Sequence, residues 1–266
     1  MIRFSLIGPL RTGSSLLSRC LDDHPELICL CESEINRALF GEMYVKLHFQ
    51  RMRKHGLHPF EIIGLLDRKK QSSTGDYELW HQKAVPILAE KYGKNGILGI
   101  GDKSPDFYRT PDLARHVEAE HILVYTMRDP RAIYRSIWAD KTPEEEKENR
   151  WSSFKANFEF WKESLAGDNV CIVRYEDLLS DSEKELRRIF AHLGVEHSSA
   201  YRESFPREFP ERFLWKSVTE NADKGVEFVL SKSDFWREEL SADVVSRIQD
   251  DPAVQEVLDR FGYEVL

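Results

Sequence analysis

Cysteine is scarce in this chain of 266 residues, which has only Cys20, Cys29, Cys31 and Cys171. These cysteines do not form a pair of CxxC motifs and have no pair of histidines nearby, so a structural zinc site is not expected. We interpret them as reduced thiols in the core of a cytoplasmic protein.

Long apolar runs and an excess of positive charge are also missing. No stretch approaches the length of a membrane span, and the apolar run at residues 1–8 is too short for the hydrophobic core of a secretion signal. Asp and Glu outnumber Lys and Arg by 46 to 38, which gives a net charge of −8. A general affinity for nucleic acid or anionic membranes is therefore not expected, although a local basic pocket for one small anion is compatible with this balance.

Apolar runs alternate with helical patterns along most of the chain. We predict strands at residues 3–7, 27–31, 96–100, 121–127 and 170–173, with amphipathic helices between them. Strands that alternate with helices predict an α/β fold, in which a central parallel sheet is flanked by helices. Residues 35–92 depart from the alternation and predict a mostly helical insertion. We find no internal repeat and no linker, so residues 1–266 are predicted to form a single domain.

The first predicted strand leads into a glycine-bounded turn and a serine-rich helix start. This architecture directs backbone N–H groups at a phosphate. Gly8 and Gly13 have the spacing of a P-loop, but Ser14 and Ser15 stand where a nucleoside triphosphatase has Lys and Ser or Thr. The cation lies inside the loop, at Arg11. An enzyme that binds a magnesium nucleoside triphosphate is therefore not expected. The alternative explanation of this motif is an ordinary turn in which Ser14 caps the following helix.

A second motif, Arg128-Asp129-Pro130-Arg131, follows the apolar run at 121–127 and leads into a helix that carries Ser136. Together the two motifs resemble the sulfotransferases that use 3'-phosphoadenosine-5'-phosphosulfate (PAPS). The resemblance implies that the 3'-phosphate is held by Arg128 and Ser136. It implies that the 5'-phosphosulfate is held by the loop residues Arg11, Thr12, Gly13, Ser14 and Ser15. A donor with phosphates at both ends of its ribose needs two such anion sites.

Other blocks resemble the tyrosylprotein-sulfotransferase-like branch most closely, among them Leu21-Asp22-Asp23-His24-Pro25-Glu26. By the same resemblance, Tyr175 lies near the nucleotide, and Ser217 and Lys232 touch it. Asp140 stands where this branch often has an Arg. Residues 35–95 match nothing in the family, and we expect them to form much of the acceptor side of the site.

The resemblance also assigns the catalytic residues. Glu32, directly after the strand at 27–31, matches the general base, while Lys103 and Arg11 match cations that stabilise the transferred group. Glu34 is the alternative base, because a strand-like alternation turns it the same way. A solvated acid at a helix start would also explain Glu32, and an ordinary turn lysine would explain Lys103. Asp102 is expected to pair with Lys103 or to orient the acceptor.

The expected activity is therefore transfer of a sulfuryl group from PAPS to a hydroxyl or amine, and the expected second product is 3'-phosphoadenosine-5'-phosphate (PAP). A metal ion is not expected, because the sulfuryl group carries little negative charge and side-chain cations can stabilise it. A cytoplasmic small molecule, lipid or sugar is the expected acceptor, and its identity and the oligomeric state stay open. One alternative is a P-loop kinase or nucleotidase, which would need Lys at position 14 and an acid in place of Arg128. The other is a non-catalytic nucleotide-binding protein of the same fold.

Overall fold

The fold was obtained as a computed structural model. It describes residues 1–33, 50, 52–57, 74–104, 117, 119–138, 151–152, 154–156, 158, 169–204 and 234–266. Within these residues, no helix is long and apolar enough to cross a membrane.

Five parallel strands form one sheet. They are β1 (Ile2–Ile7), β2 (Leu27–Cys31), β3 (Gly99–Lys103), β4 (Ile122–Met127) and β5 (Val170–Arg174). Their order across the sheet is β2-β3-β1-β4-β5, so β1 lies in the centre and β3 separates it from β2. After β1 the chain forms β2 and β3 on one side of it and then β4 and β5 on the other side, as in other doubly wound α/β sheets.

Nine helices are described, and they cover both faces of the sheet. In chain order they are α1 (Ser14–Asp22), α2 (Thr74–Tyr92), α3 (Pro130–Trp138), α4 (Tyr175–Ser180), α5 (Ser182–Leu193), α6 (Tyr201–Ser204), α7 (Trp236–Glu239), α8 (Ala242–Gln249) and α9 (Pro252–Phe261). The predicted parallel sheet flanked by helices is confirmed.

The alternation of side chains along each strand divides the core between the two faces. Phe4 and Leu6 of β1 pack with α1 and α5 on one face. Ile7 points to the other face and packs with α8 and α9. On that second face, the β2–β3 end of the sheet carries a third cluster, in which Ile28 and Ile100 pack with α2. Because both faces are covered, the strands are nearly continuously buried.

One sequence prediction of strand bounds is wrong. The strand predicted at 96–100 lies at 99–103, because Gly96 has a φ of 66° and turns the chain, and Leu98 is 45% exposed. Lys103 is therefore the last residue of β3 and does not follow it. Near the carboxyl terminus, α9 begins as a separate helix after α8, because Asp251 caps it by accepting a hydrogen bond from the N–H of Ala253 at 3.1 Å.

Candidate functional site

The carboxyl ends of the five parallel strands meet at one edge of the sheet. Four residues predicted to act in the site lie at these ends: Glu32 follows β2, Lys103 ends β3, Arg128 follows β4 and Tyr175 follows β5. The glycine-bounded loop, residues 8–13, follows the central strand. Ligands of open α/β sheets bind at this edge, beside the strand where the chain reverses its direction of winding.

The loop depends on glycine at both of its ends. Gly8 has a φ of 132°, and a Cβ atom there would lie 2.2 Å from the carbonyl oxygen of Thr126. Gly13 has a φ of 78°, and a Cβ atom there would lie 2.2 Å from Cδ2 of Tyr175. The loop thus contacts β4 at Gly8 and the ring of Tyr175 at Gly13, and at both positions the contact is too close for a residue with a Cβ atom.

The hydroxyl of Thr12 fastens the loop to the sheet. It donates to the carbonyl oxygen of Pro9 at 2.9 Å and lies 2.6 Å from the hydroxyl of Thr126. Since Thr12 is almost fully buried, its hydroxyl is turned away from the open edge. Among the predicted donor-binding residues, Thr12 therefore has a side chain that holds the loop in shape.

The amino terminus of α1 opens at the end of the loop. Gly13 is its N-cap, with no side-chain hydrogen bond to the cap, and the first turn has no acidic residue. The alternative in which Ser14 caps this helix is wrong, because Ser14 is the first helical residue and is buried. The N–H groups of the first turn and the positive end of the helix dipole therefore face the edge where Ser15 lies, as an anion site requires.

Arg11, Arg128 and Ser136 are brought together beside the loop. Nε of Arg11 donates to Oγ of Ser136 at 2.9 Å, and Nη1 of Arg128 lies 3.4 Å from the carbonyl oxygen of Arg11. Loss of solvent around the Arg11 guanidinium, followed by the charge of Arg128, lowers the pKa of Arg11. Two like charges held this close destabilise each other, and an anion bound between them would relieve both.

Tyr175 connects the loop to Arg128. The guanidinium carbon of Arg128 lies 4.6 Å from the centre of the Tyr175 ring, a cation–π contact. The same ring covers Gly13. Burial raises the pKa of the Tyr175 hydroxyl, so this side chain stays neutral at physiological pH. Tyr175 thus holds Arg128 in place without neutralising its charge.

Glu32 and Lys103 form an ion pair at the ends of β2 and β3. Nζ of Lys103 donates to Oε1 of Glu32. The side chain of Lys103 is 5% exposed and that of Glu32 is 19% exposed, so the pair is nearly enclosed. The backbone continues the sheet here, because the N–H of Glu32 donates to the carbonyl oxygen of Lys103 at 2.8 Å.

Two residues at this edge have a positive φ, which residues with a side chain rarely adopt. In the described part of the chain, the non-glycine residues with positive φ are Arg11, at 68°, and Glu32, at 52°. Each costs about 1–2 kcal/mol relative to the ordinary right-handed conformation. Such strain persists where the surrounding structure fixes the residue, and it is concentrated in functional sites.

Asp102 has neither of the roles expected for it. Its Oδ1 accepts from the N–H of Ser33 at 3.1 Å and from the hydroxyl of Ser33 at 2.9 Å. Its Oδ2 accepts from the hydroxyl of Ser104 at 2.5 Å. Because Asp102 precedes Lys103 in the same strand, the two side chains point to opposite faces of the sheet. Asp102 is only 2% exposed, so it does not face an acceptor.

A network behind Arg128 was missed in the sequence. The Asp129 carboxylate accepts from Nε and Nη2 of Arg131 at 2.9 and 2.7 Å. Oε1 of Glu176 accepts from the N–H of Asp129 at 3.1 Å, and Oε2 accepts from the hydroxyl of Tyr263 at 2.9 Å. The turn that carries Arg128 is thereby attached to the first turn of α4 and to Tyr263 near the carboxyl terminus. The sequence signal for this network was that Asp129 and Arg131 lie inside the motif that follows the predicted strand at 121–127.

Three predicted positions lie outside the described residues: the alternative base Glu34, and Ser217 and Lys232 at the nucleotide. About half of the predicted acceptor segment, 35–95, also lies outside them, namely residues 35–49, 51 and 58–73. Among the side chains that are described, no three His, Cys, Asp or Glu residues are grouped so that they could hold a metal ion.

Comparisons with known proteins agree with this geometry. A model of the sulfotransferase family matches residues 4–199. A search of the curated proteins finds no similar sequence. One of the solved structures that resemble the chain is a sulfotransferase domain from the curacin biosynthetic pathway. The two sequences are 17% identical, the match covers 99% of this chain and 98% of that one, and the TM-score is 0.62.

Two further structures are similar over the whole length of the chain. A sulfotransferase domain from the olefin synthase of Synechococcus PCC 7002 has 19% identity, coverage of 100% of this chain and 95% of that one, and a TM-score of 0.59. A sulfotransferase from Mycobacterium avium has 12% identity, coverage of 99% and 77%, and a TM-score of 0.51. At these identities, the likeness establishes a shared fold.

Proposed function

This chain belongs to the sulfotransferase family, and on that premise we propose that it transfers a sulfuryl group from PAPS to a hydroxyl or amine of a small molecule, lipid or sugar. Glu32 is the general base, and Lys103 and Arg11 are the cations that stabilise the transferred group. We also propose a relation to the tyrosylprotein-sulfotransferase-like branch, on the order of the motifs quoted above.

The observation that carries the proposal is the ion pair between Glu32 and Lys103, next to the loop. A family member that only bound a nucleotide would have no need for a half-buried carboxylate in contact with a buried ammonium group at the open edge of the sheet. Enclosing such a pair costs desolvation free energy, so it is a weak source of stability and a strong indication of chemistry. The positive φ of Glu32 supports the same view.

The donor is proposed to span the edge from this pair to Arg128. Three strand spacings separate β2 from β4, which is about 14 Å at roughly 4.8 Å per spacing. The 5'-phosphosulfate would lie on the loop and the amino terminus of α1. The 3'-phosphate would lie between Arg128 and Ser136, where it relieves the repulsion between Arg128 and Arg11.

The reaction follows as an in-line displacement. Glu32 accepts the proton of the acceptor hydroxyl, and the acceptor oxygen forms a bond to sulfur. The bond between sulfur and the 5'-phosphate oxygen breaks, and its electron pair stays on that oxygen, so PAP leaves. Lys103 stabilises the charge that develops on this oxygen, and Arg11 stabilises the phosphosulfate. Positioning and cations carry the catalysis, as in phosphoryl transfer.

Binding of PAP in EDTA tests the donor site. We expect Arg128→Ala and Ser136→Ala to weaken PAP binding in calorimetry without loss of folding. The matched control is Arg135→Ala, because Arg135 lies on the same helix as Ser136 but forms an ion pair with Glu239 at 2.5 and 2.6 Å. Unchanged affinity in both variants would remove the assignment of the 3'-phosphate site.

A thermal shift experiment separates the proposal from a P-loop kinase. Ligands that bind only the folded state raise the melting temperature. We expect PAP to raise it without magnesium, and we expect Mg-ATP to have little effect, because Ser14 stands in place of the Lys that binds the triphosphate. A larger shift with Mg-ATP than with PAP would favour the kinase.

A further inference from the structure

We propose that Asp102 is the positioning residue that holds Glu32 and Lys103 together for sulfuryl transfer. The inference rests on the proposed function and adds to it a residue that does not touch the donor or the acceptor. Asp102 acts through the residues that follow the catalytic pair in the chain, Ser33 after Glu32 and Ser104 after Lys103.

The carboxylate of Asp102 connects the two chain segments that carry the pair. One oxygen, Oδ1, accepts both from the N–H and from the hydroxyl of Ser33, at 3.1 and 2.9 Å. The other oxygen, Oδ2, accepts from the hydroxyl of Ser104 at 2.5 Å. The N–H of Ser104 in turn donates to the carbonyl oxygen of Leu6 at 3.1 Å. The carboxylate thus joins the residues that follow β2 and β3, and the backbone of Ser104 joins them to β1.

This connection is needed because the chain leaves the sheet after Glu32. Among the described residues, the last backbone hydrogen bond between the ends of β2 and β3 is the one from the N–H of Glu32 to the carbonyl oxygen of Lys103. Glu32 then has a φ of 52°, which directs the chain away from the strand. The next residue is Ser33, and both of its bonds to Asp102 hold the chain on the far side of this strained residue. Without them, Glu32 could relax toward the right-handed conformation.

Asp102 and Lys103 use opposite faces of the same strand. Lys103 is in register with Leu6 and Cys31, whereas Asp102 is in register with Ser5 and Leu30. The catalytic ammonium and the positioning carboxylate are therefore on different sides of the sheet. A direct ion pair between them, which would compete with Glu32 for Lys103, is avoided.

The surroundings of Asp102 favour its role as an acceptor. Asp102, Ser33 and Ser104 are each at most 5% exposed, so water does not replace these bonds. Burial raises the pKa of Asp102 to about 6, while the hydrogen bonds from Ser104 and Ser33 oppose this rise. At neutral pH the group is a carboxylate that accepts all three bonds. A buried carboxylate destabilises the folded state unless both of its oxygens accept hydrogen bonds.

Turnover and PAP affinity of Asp102→Ala and Asp102→Asn test the proposal, with release of PAP from PAPS as the assay. Loss of the connection in Asp102→Ala should lower kcat by roughly 10–10²-fold, as expected for a small misplacement of reacting groups, with the Kd of PAP nearly unchanged. Asn can accept from Ser33 through Oδ1 and donate to Ser104, so Asp102→Asn should keep most of the turnover. Equal losses in both variants would overturn the proposal.

A double variant distinguishes positioning from a general loss of stability. Because Glu32→Gln no longer takes a proton, Asp102→Ala in this background displaces only Lys103, so it should cause a clearly smaller loss of turnover than it causes in the wild type. A loss as large as that in the wild type would overturn the inference. Asp22→Asn is the matched control, because Asp22 is also buried and accepts from the N–H of Cys29 at 3.0 Å, but lies at the end of α1. It should keep kcat.

Acylation of Lys103 tests the same inference without catalysis. Its side chain is enclosed by the contact with Glu32, so acetic anhydride followed by mass spectrometry should label it slowly in the wild type and in Asp102→Asn. Asp102→Ala should label several-fold faster. If Asp102→Ala does not fold, the Ser33→Ala/Ser104→Ala double variant should show the same increase. Equal labelling would contradict the positioning role, whereas failure of the wild type to release PAP would contradict only the proposed function.

Discussion

Replacing Gly13 by Ala adds only one methyl group, but we expect it to lower the stability of the protein strongly. The new Cβ would lie 2.2 Å from Cδ2 and 2.5 Å from Cε2 of Tyr175. Carbon atoms in contact are about 3.5–4.0 Å apart, so the ring or the loop must move by more than about 1 Å. Overpacking of this kind costs about 1–3 kcal/mol. The positive φ of 78° adds about 1–2 kcal/mol for a side chain.

Two comparisons separate these contributions. Gly194→Ala has nearly the same φ, 75°, but its Cβ would meet nothing within 4 Å, so it should show only the cost of the backbone. Gly13→Ala in a Tyr175→Ala background should show the same smaller cost, because the ring is gone. The free energy of unfolding, measured in urea with and without PAP, gives all of these values.

The expected result is that Gly13→Ala loses about 2–5 kcal/mol of unfolding free energy and binds PAP more weakly, since Tyr175 can no longer support Arg128. In the Tyr175→Ala background the cost should fall to that of Gly194→Ala. If Gly13→Ala costs the same with and without the ring, the packing of Tyr175 against the loop is refuted.

Further predictions concern the catalytic pair, its support and the acceptor. Glu32→Gln should lower turnover roughly 10²–10⁴-fold at unchanged PAP affinity, and a more acidic acceptor should restore it partly; near-normal turnover would exclude Glu32. Lys103→Ala should also lower turnover, and acidic acceptors should restore it less, because the leaving oxygen still lacks its cation. The pKa of Asp102 is about 6 in the folded state, whereas the ordinary value, which applies to the unfolded state, is 3.8. Between these pH values the folded state therefore binds more protons than the unfolded state. Relative to Asp102→Asn, the wild type should therefore gain about 1 kcal/mol in urea unfolding as the pH falls from 7.5 to 5, and a loss would contradict the burial of this acid. Exchange of segment 35–95 should change acceptor choice in sulfation assays and leave PAP affinity nearly intact; a large loss of affinity would argue against this division.

The sequence was informative wherever a local pattern determines the structure. Strands β1, β2, β4 and β5 were predicted within one residue because each is a short run of apolar residues between turns. Strand β3 was misplaced because Gly99–Lys103 contains two glycines and two charged residues, a poor strand pattern by itself. It is buried only because β1 and β2 pair with it on both sides, which no local pattern reveals.

The candidate site was predictable in outline and not in detail. Resemblance to a family identified Glu32 and Lys103, and their contact follows from neighbouring strand ends. The contact of Arg11 with Ser136 joins residues that are 125 positions apart, and it depends on the positive φ of Arg11, which sequence does not predict for a non-glycine residue. The bonds of Asp102 could not be foreseen because β3 was placed three residues too early.

If the carboxyl edge of the sheet transfers a sulfuryl group from PAPS with Glu32 as the base, the sulfur label of PAPS must reach an acceptor. The protein is therefore incubated in EDTA with PAPS radiolabelled on sulfur and a metabolite extract, and the labelled product and the PAP formed are measured. We expect equal amounts of both with the wild type, and at least a roughly 10²-fold lower rate with Glu32→Gln at unchanged PAP affinity. PAP binding without any transfer of label by the wild type, or full transfer by Glu32→Gln, would contradict this mechanism.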